Sequence, residues 1–117
     1  MKTKPGEHRI PDYEAGDERT IAGYMAVHKR PAAFEGADGF SYSVDILTDT
    51  TGEPATPWGA YLVYLRWGQG EPQILGHLET VFIVKGSSEA VVRHQLGLMP
   101  LVSVKATLDS LIRGRNT

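Results

Sequence analysis

The stretch WGAYLVYLRW, residues 58 to 67, is apolar on both sides of an extended chain, and that reading decides the fold. Even positions put Ala60, Leu62 and Tyr64 on one side and odd positions put Tyr61, Val63, Leu65 and Trp67 on the other, because successive side chains of a strand point to opposite faces. A strand with no wet side belongs in the middle of a sheet. Its neighbours supply the flanks. FSYSVDILT, residues 40 to 48, sets Phe40, Tyr42, Val44 and Ile46 against Ser41, Ser43, Asp45 and Leu47, the alternation of a half-buried strand. QILGHLETVFIVKG, residues 73 to 86, follows the hairpin-length turn GQGEP and reads as one long strand from Gln73 to about Lys85.

TIAGYMAVHK, residues 20 to 29, alternates around Tyr24 and reads as a further strand, interrupted by Gly23 and stopped by Pro31. The rest is helical. Ser87 and Ser88 offer cap hydroxyls and Glu89 a first-turn carboxylate to SEAVVRHQL, which Gly97 can end. In the following helix Pro100 suits the first turn, and Leu101, Val104, Leu108, Leu111 and Ile112 recur at helical spacing up to Gly114. Residues 1 to 19 are charged and rich in Pro and Gly, an extended N-terminal arm with Ile10 and Tyr13 as its apolar anchors. The expected architecture is α+β: a single domain over residues 20 to 117, with a four-stranded, mainly antiparallel sheet followed by two C-terminal helices packed on one face.

Simple closure of the turn sets Trp67 opposite Gln73, Val63 opposite His77, Leu62 opposite Leu78 and Tyr61 opposite Glu79. One face then carries Ala60, Leu62, Tyr64, Ile74, Leu78 and Phe82, with Tyr42, Val44 and Ile46 beside them, and takes the helices. The second face carries Ser41, Ser43, Asp45, Tyr61, Val63, Leu65, Trp67, Leu75, His77, Glu79, Val81 and Ile83, and seven of these twelve are large and apolar or aromatic. That is too much to leave bare on a monomer. The candidate covers are the N-terminal arm, a second copy of the protein, or a protein or small-molecule ligand. A homodimer is the economical one, because a two-fold partner offers the same patch, and Val63, Leu65, Trp67, Leu75, Val81 and Ile83 are its expected interface.

The same face suggests chemistry. His77 and Glu79 lie two residues apart, and Asp45 and Tyr61 point to their side. An imidazole, carboxylates and a phenol on one face are the ingredients of acid–base catalysis or of a divalent-metal site. The competing explanation is that His77 and Glu79 are polar groups satisfied within a covered interface. At the strand-to-helix junction VKGSSEA, Lys85, Ser87 and Ser88 form a candidate anion site, which ordinary helix capping also explains.

Composition narrows the function classes. The 117 residues contain no cysteine, which removes disulfides, thiolate metal sites and a cysteine nucleophile. Twelve Lys and Arg against fourteen Asp and Glu leave a net charge of −2, so nucleic acid is not the expected partner. The first twenty residues lack the apolar run of a signal or anchor, and no segment reaches the roughly 18 apolar residues of a membrane span, so a cytoplasmic location is expected. No phosphate loop, dinucleotide fingerprint or nucleophile elbow is present, and no cofactor is expected. The function these readings favour is a small homodimeric binding or interaction domain with no assignable reaction. The alternative is a small enzyme or metal-binding protein using Asp45, Tyr61, His77 and Glu79.

Overall fold

The computed structural model describes residues 17–70 and 73–115. In chain order it has helix α1 (Ile21–His28), strands β1 (Ala33–Glu35), β2 (Ser41–Thr50), β3 (Trp58–Trp67), β4 (Ile74–Glu79) and β5 (Val84–Gly86), and helices α2 (Glu89–Gly97) and α3 (Leu101–Arg115). The strands make an antiparallel sheet in the order β1-β2-β3-β4, with β5 paired to the start of β3 beyond β4. The fold is α+β, and β3 is central as its two apolar faces require. Most of the arm, with Ile10 and Tyr13, lies outside the described residues.

The core lies between one sheet face and the two C-terminal helices. Tyr42, Val44 and Ile46 of β2 and Ala60, Leu62 and Tyr64 of β3 meet Val92 and Leu96 of α2 and Val104, Leu108 and Ile112 of α3. Burial of such side chains contributes on the order of 1.5 to 3 kcal/mol each. Ser88 caps α2, its hydroxyl accepting from the Val91 amide. Tyr64 is fully buried, and its hydroxyl donates to the Val104 carbonyl at 2.8 Å. Burial pushes the Tyr64 phenol far above its ordinary titration range, so it remains a neutral donor.

Residues 21–28 form a helix, contrary to the strand expected there. Ile21, Tyr24, Met25 and His28 also satisfy helical spacing, so a short stretch apolar on every side fits both periods. Capping decides between them. The Thr20 hydroxyl accepts from the Gly23 amide at 3.1 Å, and Lys29 closes the helix in the left-handed region with its amide on the Met25 carbonyl. Tertiary bonds then hold α1: the Ile21 amide donates to the Met99 carbonyl, and the Leu101 amide donates to the Arg19 carbonyl. The strand beside β2 is instead β1, in the segment that follows Pro31, and the sheet has five strands rather than four.

The expected long strand at 73–85 is broken into β4 and β5. The β4 register pairs Val63 with Glu79, Tyr64 with Leu78 and Leu65 with His77, two residues from simple closure, with a bulge at Arg66/Trp67. From Gly76 to Glu79 a two-residue shift keeps the side chains on their expected faces, whereas the bulge sets Ile74 opposite Trp67, on the second face rather than the helix face expected for it, and leaves Leu75 without a partner on β3. Between the strands, three steps along β3 (63 to 60) face five along the partner (79 to 84). The excess is absorbed at Thr80–Ile83, where the Thr80 hydroxyl accepts from the Leu62 amide and the Ile83 amide reaches the Ala60 carbonyl. This hump moves Phe82 to the second face, where its ring lies edge-on to Tyr61 at 5.8 Å and against the bare backbone of Gly59. A Cβ on Gly59 would sit 2.4 Å from that ring. Ile83 turns the other way, into a groove beside Met99, Ala106 and Leu111. The two faces assigned to Phe82 and Ile83 from the sequence are therefore exchanged.

Two stability measurements follow from these contacts. Tyr64→Phe leaves the Val104 carbonyl without its cross-layer donor and should lower the unfolding free energy by about 1 to 2 kcal/mol in urea titration. Asp109 accepts from Lys105 and from the Ala37 amide, fastening the β1–β2 loop to α3. The Lys105 hydrogen bond first, and the Ala37 amide after it, hold its carboxyl below the ordinary value of 3.8. A depressed folded value stabilises above the unfolded one and loses that contribution as pH falls through the folded value. Wild type should thus lose stability below about pH 4 more steeply than Asp109→Asn, as read by thermal unfolding across pH 2 to 6.

Candidate functional site

The residues singled out for chemistry all lie on or beside the second sheet face, and the register fixes their neighbours. Asp45, Val63 and Glu79 form one row across β2, β3 and β4, and Ser43, Leu65 and His77 form the next. Asp45 and Glu79 therefore share a row but stand two strand spacings apart, about 9.5 Å between backbones. Val63 fills the interval. Asp45 also turns its carboxylate to its own backbone, Oδ1 accepting from the Ile46 amide at 2.8 Å.

His77 and Glu79 do meet: His77 Nε2 lies 3.2 Å from Glu79 Oε2, with 56% and 51% of the side chains exposed. The pair is a wet surface contact rather than an enclosed acid–base couple. Glu79 and Tyr61 share a shallow depression of about 320 Å³ with Asp49, Thr80, Val81 and Phe82. Of the four candidates, the structure joins His77 to Glu79 and Glu79 to Tyr61 and leaves Asp45 apart. Asp49 takes the place nearest the depression. Its parity matches that of Asp45, so extending β2 two residues past Thr48 would have put it on this face. No sequence signal announced Phe82, beyond the small residue at Gly59 that receives it. Among the described residues, no group of three or more His, Asp or Glu is arranged to hold a metal ion.

The expected interface residues are graded by position. Val63 is nearly closed over by its neighbours at 9% exposure, Leu65 and Trp67 are half-buried, and Leu75 is exposed. The Trp67 indole donates to Ser43 Oγ at 3.0 Å, which lays the ring across the sheet. Val81, at the crest of the hump, is 83% exposed, and Ile83 belongs to the helix side. Leu47 joins the face at the row of Tyr61 and is exposed.

At the strand-to-helix junction, Lys85 Nζ is 2.7 Å from Glu53 Oε2, Ser88 caps α2 and Ser87 is exposed. The Lys85 hydrogen bond, with that of Thr56 behind it, holds the Glu53 carboxyl below its ordinary range. The ammonium is thus turned to a carboxylate, and the first turn of α2 already carries Glu89. No helix of the described residues is long and apolar enough to cross a membrane. No known protein family, curated protein or solved structure matches the chain.

Because His77 and Glu79 are half-exposed and pair in water, His77→Ala and Glu79→Ala should each change the unfolding free energy by less than about 0.5 kcal/mol. A loss of several times that in denaturant titration would mean that the pair is enclosed in solution.

Proposed function

We propose that the chain is a binding module that associates with a second copy of itself through the second sheet face, with no reaction assigned to it. The observation that carries this reading is the one-sided placement of the helical layer. The C-terminal helices pack on the Tyr42–Leu62–Tyr64 face, while Leu47 and Leu75 stand exposed and Tyr61, Leu65 and Trp67 half-exposed around Val63 on the other. An apolar centre rimmed by Ser41, Asp45, His77 and Glu79 has the layout of a contact surface, with a dry middle and a polar border. A two-fold partner presents the same centre and border, so one surface serves both chains. The alternative use of Asp45, Tyr61, His77 and Glu79 in acid–base or metal chemistry is disfavoured by the distance from Asp45 to Glu79 and by the bond Asp45 makes to its own backbone.

Light scattering over a range of concentrations tests the reading. Wild type should show a mass above that of the monomer, and Leu47→Lys and Leu65→Lys should each lower it at equal concentration. Val63 is too enclosed to serve as the probe. A wild-type monomer at every concentration, or a mass indifferent to both lysines, overturns the proposal.

A further inference from the structure

The sheet has two outer edges, and the chain treats them differently. Along β2 several of the outward backbone groups are occupied. The Val44 amide donates to the Ala32 carbonyl, the Ile46 amide to Asp45 Oδ1 and the Thr50 amide to Asp49 Oδ1, and Arg93 Nη1 donates to the Ile46 carbonyl at 3.0 Å. Such caps protect an edge from a foreign strand. On β4 the amide of Thr80 bonds to the Leu62 carbonyl, so even positions face β3 and the amides and carbonyls of His77 and Glu79 face away. No hydrogen bond from a described residue reaches those backbone groups. The strand ILGHLE carries no Lys and no Pro, and its exposed side chains include Ile74 and Leu75.

We propose that this edge is a second self-association surface, at which β4 of one copy pairs antiparallel with β4 of another about a two-fold axis at Leu78. The inference goes beyond the face-to-face contact and does not rest on it. The outward groups of the odd positions require odd residues to face odd residues. Centring the axis on His77 would set imidazole against imidazole and Leu75 against Glu79. Centring it on Leu78 sets His77 opposite the partner's Glu79, twice by symmetry, and brings Leu75 at the bulge to the side of the partner's Val81 just past the end of β4, the most exposed apolar side chain described. Only the second register matches polar with polar and apolar with apolar. The bulge at Arg66/Trp67 confines regular pairing to the residues after Leu75, so the contact is short and strongly concentration-dependent.

The cysteine-free sequence makes the test direct. His77→Cys and Glu79→Cys are prepared as single variants of the full chain and oxidised with glutathione, alone and mixed. In the proposed register position 77 of one copy and position 79 of the other form a hydrogen-bonded pair with Cα atoms about 5.5 Å apart, inside disulfide range, whereas like positions lie on a diagonal beyond about 7 Å. The mixed dimer also retains one native His77–Glu79 pair, which each homodimer loses. The mixture should yield several-fold more disulfide dimer than either variant alone, and far more than the exposed control Val102→Cys, which lies away from β4. Equal yields, greater yield from His77→Cys alone, or yields no higher than the control overturn it. Repeating the mixture with Leu47→Lys in both chains separates the two surfaces: crosslinking should persist when the sheet face is charged.

Discussion

The hydrogen bond from the buried Tyr64 hydroxyl to the Val104 carbonyl is the constraint on which the rest of the structure depends. Tyr64 stands at the middle strand of the sheet, and Val104 on the helix that covers it, so the bond fixes where α3 crosses β3. A phenol in an apolar layer without a partner would carry an uncompensated desolvation cost. That requirement selects one placement of the helix over the sheet, and Leu108 and Ile112 then fall on the same face by helical repeat. With α3 placed, α2 packs over β2, β3 and β5, and all three helices leave the far face of β3 without a helical cover.

The functional readings follow from that one-sidedness. A two-layer domain has a bare sheet face by construction, and ordinary sequences make it polar. Here β3 keeps it apolar, while Asp45, Asp49 and Arg93 guard the β2 edge with their own hydrogen bonds. Protection is thus given to one edge and withheld from the opposite edge and the adjoining face. The asymmetry is a property of single side chains, and both proposed contact surfaces rest on it.

Strand β2 and helices α2 and α3 were legible in the sequence because each shows one period only, and β3, apolar on both faces, because it lies between a half-buried strand and a hairpin-length turn. Alternation in SYSVDI admits a single sheet face, and the Leu101-to-Ile112 stripe admits a single helical one. Helix α1 was not legible, since IAGYMAVH is apolar at nearly every position and satisfies both periods; the Thr20 cap was the missed sign. The side of the sheet on which Asp45, His77 and Glu79 sit was readable from parity, but their separation was not, because it depends on a register set by a bulge at Arg66/Trp67. The swing of Phe82 onto Gly59 is a tertiary event with no periodic signature.

The docking of α1 also orders events in time. Its backbone is tied at Thr20 and Ile21 to Met99 and Pro100, and through Arg19 to Leu101, partners some eighty positions further along. Helix α1 therefore cannot reach its final seat until the turn between α2 and α3 has been made. At a synthesis rate of about 5 to 20 residues per second, that is a delay of roughly 4 to 15 seconds after α1 itself has been made. During that interval Met25 and Val27, which remain largely exposed even in the folded chain, are joined by an uncovered Ile21. The first helix among the described residues is thus among the last to be secured, and the nascent protein carries an unsheltered apolar segment for most of its synthesis.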